Sequence, residues 1–193
     1  MSRRFARCSL SKRFVRGGGA AFGVMRSDDS MTLWRLLRAD AVALREHRQR
    51  FLPFVFPNYA AVAAYRCARA LRDHGLGMPA RFITMIAQAV TGAEIDPGAR
   101  IGAGLSLGHT HGIVVGEGVR AGTGLRLYSG VVLGSTSNER RGWGHPTLGD
   151  DVVVWPKATV AGPIHIGDRA YVGAHALVMR DVAADQLAVG HHV

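Results

Sequence analysis

The chain has 193 residues, of which 48% are hydrophobic and 20% charged, values that are typical of a globular protein and exclude an intrinsically disordered one. No apolar run approaches the roughly 18 residues that a membrane-spanning helix needs, so we expect no membrane partner. The net charge of +10 is concentrated in the first 27 residues, which hold seven Lys or Arg and no acid, whereas the rest carries only +3. Because no basic stripe follows, we expect no nucleic-acid partner.

Residues 1–30 form a basic tail that we predict to be disordered. The tail contains three consecutive glycines and lacks the long apolar core of a signal peptide. Met25 or Met31 would serve equally well as the start of the protein. The chain has only two cysteines, Cys8 in this tail and Cys67, so we expect no structural disulfide and a cytoplasmic location.

Residues 31–92 are predicted to form a helical domain. Apolar residues at helical spacing indicate the buried face of a first helix, made of Leu33, Leu36, Leu37, Val42 and Leu44. Two prolines, Pro53 and Pro57, separate this helix from a second amphipathic one. A short third helix is predicted over residues 80–90, ending before Gly92.

Residues 93–193 carry aliphatic side chains at a period of six. A helix repeats its buried face every 3.6 residues and a strand every 2, so neither element alone produces this spacing. A parallel β-helix does, because each hexapeptide forms one side of a triangular prism and points one aliphatic side chain inward. The pattern predicts two unbroken runs that stack coil upon coil: Ile95, Ile101, Leu107, Ile113, Val119, Leu125 and Val131, then Leu148, Val154, Val160, Ile166, Val172 and Val178.

The two runs are out of register, because Val131 and Leu148 are 17 residues apart rather than a multiple of six. Residues 135–146 between them are polar, contain glycines and break the pattern. We therefore predict that this segment leaves the prism as a loop. Loops on rigid scaffolds commonly carry function.

Two histidines are the candidate reactive residues. His145 closes the predicted loop, and His109 follows the inward-pointing Leu107 by two positions, which places it outside the prism. Such a histidine is either a surface residue or a reactive one, since an imidazole with an ordinary pKa of about 6.5 can take the proton of a reacting hydroxyl. The loop with its own histidine favours the reactive interpretation.

A string of motifs along the prism is more specific than the repeat itself. The motifs are Ile95-Asp-Pro-Gly-Ala-Arg-Ile-Gly, His109-Thr-His-Gly-Ile-Val-Val-Gly-Glu, Val131-Val-Leu-Gly, His145-Pro-Thr-Leu-Gly-Asp and Gly162-Pro-Ile-His-Ile-Gly-Asp. Together with Tyr65-Arg66 in the helical part, they resemble the serine O-acetyltransferases among the hexapeptide-repeat acyltransferases. The resemblance implies an α+β protein in which an N-terminal helical cap precedes a left-handed parallel β-helix with an extruded loop.

The resemblance also implies a reaction and the residues that perform it. Acetyl-CoA would be the co-substrate, no metal would take part, and an acceptor hydroxyl would attack the thioester directly. His109 matches the family's general base, and His145 matches a second active-site histidine that approaches from a neighbouring subunit. Glu94 stands where the family has a carboxylate that orients the base, and Glu117 is a second candidate for that role.

For acetyl-CoA, the resemblance implies a groove between adjacent prisms. Turns near Ala158, Gly173 and Ala174 would bind the pantetheine through backbone groups. Pro156 replaces a small residue usual in one of these turns, and Arg180 could meet the nucleotide phosphates. Sites between prisms imply a homotrimer, which the helices could pair into a dimer of trimers.

The departures from the family concern the acceptor. Gly108 stands where the family has an Asp that holds the acceptor's ammonium, and Gly144 stands where it has an Arg facing the acceptor's carboxylate. A third charged contact, from the helical region, is also missing, with Glu46 in the nearest candidate stretch. Each such hydrogen bond contributes roughly 1.5 to 3 kcal/mol, so their joint loss would weaken serine binding strongly unless Glu46, Arg140 or Arg141 replaces them.

Three alternatives remain open at this point. A related enzyme would acetylate a sugar or polysaccharide hydroxyl, and the lost amino-acid contacts favour this alternative. A metal-dependent hydratase on the same prism would need three ligands such as His109, His111 and His145, although the usual spacing of its histidine pair is absent. A noncatalytic assembly partner would not need His109, Glu94 and His145 together.

Overall fold

The computed structural model of the chain describes residues 31–46, 57–138 and 142–192. The predicted tail, residues 1–30, lies outside the described residues. Three helices precede seventeen short strands in these ranges. The helices are α1 Leu33–Glu46, α2 Pro57–Asp73 and α3 Gly77–Thr91. The strands are β1 Glu94–Ile95, β2 Arg100–Ile101, β3 Ser106–Leu107, β4 Val114–Val115, β5 Arg120–Ala121, β6 Arg126–Leu127, β7 Val132–Gly134, β8 Thr136–Asn138, β9 Gly142–Gly144, β10 Thr147–Leu148, β11 Val153–Val154, β12 Thr159–Ala161, β13 His165–Ile166, β14 Tyr171–Val172, β15 Leu177–Val178, β16 Leu187–Ala188 and β17 His191–His192.

The buried face of α1 differs from the predicted one. Leu44 is buried as expected, but Leu33 and Val42 are exposed, Val42 to 50%. The fully buried residue of this helix is Asp40, which lies one turn before Leu44. Because 3.6 residues make a turn, Leu37, Asp40 and Leu44 share one face and Val42 points away from it. The apolar pattern missed this face because its central residue is charged.

The two ends of α3 differ in their capping. The helix begins at Gly77, three residues before the predicted start, after Leu76, which makes no side-chain capping bond, and it has Pro79 in the first turn, where a missing N–H has no consequence. It ends at Thr91, and the C-cap Gly92 has a φ of 75° that lets its N–H bond the carbonyl of Gln88 at 2.8 Å. Across the described residues, none of the helices is both long enough and apolar enough to cross a membrane.

The strands of the repeat region form a prism with three parallel faces. The six-stranded face has the order β1-β4-β7-β12-β15-β17, the five-stranded face β16-β14-β11-β6-β3 and the four-stranded face β13-β10-β5-β2. All thirteen predicted inward aliphatic residues are at most 5% exposed and belong to one core cluster. Burying each such side chain stabilises the fold by about 1.5–3 kcal/mol, so the stacked column is the main source of stability.

The first run of aliphatic residues nevertheless contains a change of register, which corrects the prediction that each of its members stacks on the member eighteen residues later. Ile95 pairs with Val115, twenty residues later, whereas a regular coil such as that from Leu148 to Ile166 has eighteen. The two extra residues lie between β3 and β4. In the rest of the first run, from Ile113 to Val131, each residue of the six-residue pattern therefore lies just before a strand. The inward strand positions that pair with the neighbouring coils are occupied by other buried residues, namely Val115, Ala121, Leu127 and Leu133.

The extruded segment is a β-hairpin. β8 pairs antiparallel with β9 through Thr136 opposite Gly144 and Ser137 opposite Trp143. Leu133 pairs with Val160, twenty-seven residues later, so this coil is nine residues longer than a regular one. The hairpin thus leaves the edge between two faces without disturbing the stack below it.

Two edges of the prism carry the histidines of interest. The turns that join the five-stranded to the six-stranded face form the His109 edge, which comprises residues 108–113, 128–131, 155–158, 173–176 and 189–190. The turns that join the six-stranded to the four-stranded face form the His145 edge, whose described residues are 96–99, 116–119, 135–138, 142–146, 162–164 and 179–181. The six-stranded face lies between these two edges.

Helix α2 covers the open end of the prism. Along the strands of the first coil, alternate N–H groups bond carbonyls of the next coil, as in Ser106 to Leu125 at 2.9 Å and Gly108 to Leu127 at 2.8 Å, so the carbonyls of the residues between them, such as Leu107, face out of the prism. The Tyr65 hydroxyl donates to the Ala99 carbonyl at 2.9 Å, and Arg66 donates to carbonyls of the first coil at 2.6 and 2.7 Å. Side chains of α2 thereby satisfy carbonyls that would otherwise be unpaired and costly to bury.

Candidate active site

His109 lies on the enlarged turn between β3 and β4. Its side chain is exposed, as the sequence predicted, while Thr110 beside it is buried. The two extra residues of this coil lie in the same turn as His109. An exposed imidazole on a rigid scaffold can accept a proton from a bound hydroxyl.

His145 follows the hairpin and lies against the turn of the preceding coil. A Cβ at Gly118 would overlap its Nδ1, and a Cβ at Gly116 would lie 3.1 Å from its Cδ2. The imidazole is half-buried because these two glycines leave room for it. The glycines on either side of Glu117 thus place His145 flat on the His145 edge.

The structure of one chain does not bring the two histidines together. His109 is on the His109 edge, His145 is on the His145 edge, and the six-stranded face separates them. A site that uses both histidines therefore needs two copies of the chain. The residues described in one chain also contain no group of three His, Cys, Asp or Glu that could hold a metal ion.

The two predicted carboxylates have other partners in this chain. Glu94, the first residue of β1, accepts a hydrogen bond from the Gln88 side chain at 2.9 Å. Glu117 forms an ion pair with Arg72 of α2, which also bonds Asp96 at 3.2 Å. The hydrogen bond from Arg72 lowers the pKa of Glu117, and the charge of Arg72 acts in the same direction. Glu117 therefore ties the helical cap to the His145 edge.

The residues predicted to bind acetyl-CoA are divided between the two edges. Pro156, Gly173 and Ala174 lie on the His109 edge, where Pro156 and Ala174 occupy equivalent positions in successive coils and Gly173 precedes Ala174. Ala158 is fully buried, and its N–H and C=O both make backbone hydrogen bonds within the prism. Arg180 lies on the His145 edge, where its side chain is exposed. A ligand that touches all of them would lie between two prisms.

Aromatic rings fill the space beside one of the two glycines that depart from the family pattern. A Cβ at Gly108 would overlap the ring of Tyr128, which stacks on Trp155 with ring centroids 4.8 Å apart and an interplanar angle of 11°. At Gly144, a Cβ would lie 2.8 Å from the Cβ of Pro163 in the next coil. Both positions are therefore closed to a larger side chain unless their neighbours move.

The variant Gly108→Asp is expected to be less stable than the wild type and not to gain affinity for an amino-acid acceptor. Its carboxylate would have to displace Tyr128 from the stack, and such overpacking costs about 1–3 kcal/mol. Urea unfolding and the KM for L-serine measure the two effects. In a Tyr128→Ala background the destabilisation by Gly108→Asp should largely disappear. Equal stability of Gly108→Asp and wild type would contradict the packing argument.

Three residues predicted to replace the missing charged contacts are not described. Glu46 is the last residue of α1, but its side chain lies outside the described part of the structure, and Arg140 and Arg141 lie outside it entirely.

Sequence reasoning missed the buried ion pair that joins α1 and α2 to the prism. Arg66 donates to Asp40 at 2.8 and 3.1 Å, and Asp40 also accepts the backbone N–H groups of Gly104 and Leu105, each at 2.8 Å. A signal was present, because Asp40 interrupts the apolar face of α1. The partner could not be identified from spacing, since the pair is 26 residues apart in the sequence.

The comparisons with known proteins agree with this architecture. A family model described as bacterial transferase hexapeptide (six repeats) matches residues 145–180. The serine acetyltransferase of Helicobacter pylori is 39% identical over 163 residues, which cover 84% of this chain and 93% of that protein. Soybean serine acetyltransferase in complex with serine superposes with a TM-score of 0.76 at 32% identity, covering 85% of this chain and 69% of that one.

The Neisseria gonorrhoeae enzyme in complex with serine gives a TM-score of 0.75 at 32% identity, covering 82% of this chain and 66% of that one. The predicted fold, a helical cap followed by a left-handed parallel β-helix of hexapeptide repeats, is confirmed by the strand topology and these likenesses. The extended sequence relationship identifies more than the fold. The chain belongs to the serine acetyltransferase family of hexapeptide-repeat acyltransferases.

Proposed function

We propose that the chain transfers the acetyl group of acetyl-CoA to the hydroxyl of L-serine. The observation that carries this proposal is the sequence relationship to serine acetyltransferases, which spans nearly the full length of the Helicobacter protein. The exposed His109 on the enlarged turn supports it, because this reaction needs a base beside the acceptor hydroxyl. In this role the protein would act in the cytoplasm, in cysteine biosynthesis.

The proposed chemistry moves one proton in two transfers. His109 would accept the proton of the serine hydroxyl while the oxygen attacks the thioester carbonyl, and when the C–S bond breaks the leaving sulfur of CoA would take this proton from His109 and depart as the thiol. Glu94 would orient His109, and Glu117 would act indirectly through its position beside His145. The groove along Pro156, Gly173 and Ala174 would hold the pantetheine. No step of this proposal requires a metal ion.

We further propose that the active unit is a homotrimer. The outward column of the six-stranded face consists of Glu94, Val114, Val132, Thr159, Leu177 and His191. Its three apolar members are Val114, which is 37% exposed in the single chain, and the half-buried Val132 and Leu177. Association around this face would cover apolar surface and set His109 of one copy near His145 of the next. The helical cap could then pair two trimers.

A sugar hydroxyl remains the second candidate acceptor, and one observation favours it. Gly108 and Gly144 offer no charge to an amino acid, and Tyr128 and Pro163 occupy the neighbouring space. Serine recognition in this chain would therefore depend on charged groups at other positions. The alternative shares the base and the co-substrate, so only the acceptor distinguishes the two functions.

Thiol release from acetyl-CoA is the measurement that tests the proposal. With purified protein, release is expected to depend on L-serine and to exceed the rate without an acceptor by orders of magnitude. D-Serine and L-threonine are matched controls for the geometry of the acceptor. Release that occurs with sugars and not with L-serine would replace serine by the second candidate.

A further inference from the structure

We propose that Asn58 is a positioning residue that holds the backbone directly before His109. The amide Nδ2 of Asn58 donates to the carbonyl of Leu107 at 2.9 Å and to that of Gly108 at 3.2 Å. These are the two carbonyls that immediately precede the base. The inference rests on the proposed function in that it assigns His109 as the base, and Asn58 itself does not touch the reacting atoms.

The position of β3 explains why these carbonyls need a partner. β3 is the outermost strand of the five-stranded face, and its pairing is only with β6. Ser106 and Gly108 direct their N–H groups to the next coil, so the backbone carbonyl of Leu107 between them faces out of the prism. An unpaired, part-buried carbonyl costs about 1–3 kcal/mol. Asn58, the second residue of α2, supplies the donor for this carbonyl and, at the longer distance of 3.2 Å, for that of Gly108.

The turn that carries His109 depends on the hydrogen bonds from Asn58 more than a turn of regular length would. The coil has two residues more than a regular one, so the turn that carries His109 departs from the backbone path that stacking imposes on the others. On one side the Gly112 N–H holds this turn to the Gly92 carbonyl at 2.9 Å. On the other side Asn58 holds Leu107 and Gly108. A base must be placed to within a fraction of an ångström, because a 1 Å error can cost about 100-fold in rate.

Tyr65, a second hydrogen-bond donor of α2, caps the first coil at a different turn. Tyr65 bonds the carbonyl of Ala99 at 2.9 Å, and it caps the first coil in the same way, but at the turn between the six-stranded and four-stranded faces. The residue beside the base is thus Asn58, and Tyr65 is its counterpart at a remote turn. If edge capping only stabilises the fold, both residues should behave alike.

The variants Asn58→Ala and Asn58→Asp test the proposal against the control Tyr65→Phe. Both Asn58 variants are expected to lower kcat by about 10- to 100-fold with little change in the KM for acetyl-CoA. Asn58→Asp keeps the volume of the side chain but cannot donate a hydrogen bond while ionised. If Asn58 only fills space, kcat of this variant should therefore stay near the wild-type value. Tyr65→Phe is expected to lower the unfolding temperature while kcat of the folded protein stays within about twofold.

A second readout does not depend on the acceptor. In a protein with 13C-labelled histidine, the ring signal of His109, identified by its loss in His109→Ala, should shift in Asn58→Ala and stay in place in Tyr65→Phe. An unmoved signal would overturn the positioning role whichever acceptor the enzyme uses. A failure of the proposed function would instead appear as wild-type protein without serine-dependent turnover. A loss of stability in Asn58→Ala with unchanged kcat would likewise show that Asn58 only caps the edge.

Discussion

Replacing His109 by alanine is expected to lower kcat for acetyl transfer by about 10²- to 10⁴-fold, because the acceptor hydroxyl would lose the general base that we propose. The fold should persist, since the side chain is exposed and lies outside the hydrophobic core. The KM for acetyl-CoA should change little, because the donor groove that we propose involves other residues. Steady-state kinetics and a thermal unfolding curve of the same preparation measure both parts of the expectation.

His111→Ala is the matched control for this variant. The residue is also an exposed histidine of the enlarged turn, and its ring lies against Gly92, with Cδ2 3.4 Å from the position of a Cβ there. It should retain activity within a few-fold of wild type. Loss of activity in His111→Ala with retention in His109→Ala would transfer the role of the base to His111. Loss in both would point to the turn rather than to one imidazole.

Mixing the inactive variants His109→Ala and His145→Ala tests whether the site is shared between copies. After subunit exchange, a site between neighbours is intact when one copy supplies His109 and the next supplies His145. Random trimers should therefore recover activity in about one quarter of the sites. No recovery, from subunits shown to have exchanged, would contradict a site built from two chains.

The second large effect concerns stability. Arg66→Met is expected to destabilise the fold by about 3–5 kcal/mol, because it leaves a buried carboxylate without its cation. Asp40 and Arg66 are 0% and 2% exposed, and their pair also fixes the first coil through backbone groups. The free energy of unfolding in urea, at one protein concentration, is the quantity to measure. Asp40→Leu combined with Arg66→Met should be less harmful than the sum of the single changes.

The exposed pair of Arg169 and Asp185 is the control for this prediction. Its side chains are 57% and 63% exposed, although their bidentate contacts of 2.7 and 2.8 Å are as short as those of the buried pair. Solvent screens such pairs, so Arg169→Met should leave the unfolding midpoint almost unchanged. A comparable loss in both pairs would show that burial is not what makes Arg66 important.

The regular part of the fold was predictable because one physical signal dominates it. A period of six has no explanation in a helix or an isolated strand, and each predicted inward residue from Ile95 to Val178 is buried. The change of register between Leu107 and Val115 was not predictable from this signal. Ile113 continues the spacing of six while occupying a different position in the coil, so the sequence pattern hides the two added residues.

In the candidate site, too, the sequence predicted some features and not others. The exposure of His109 followed from its distance to Leu107, and the extrusion of the segment before His145 followed from the broken period, whereas the pairing of β8 with β9 as a hairpin did not. The partners of Glu94 and Glu117 did not, because Gln88 and Arg72 belong to helices whose packing is decided by tertiary contacts. Asn58 was missed for the same reason, since its acceptors lie 49 and 50 residues away.

The cover that α2 forms has a consequence for the solution behaviour of the protein. A stack of identical coils has no intrinsic length, and its first coil offers a row of carbonyls that could accept the terminal strands of another molecule. Tyr65, Arg66 and Asn58 occupy that row with donors of the same chain. The helical region therefore also limits growth, because it turns a repeat that could polymerise end to end into a particle of defined size.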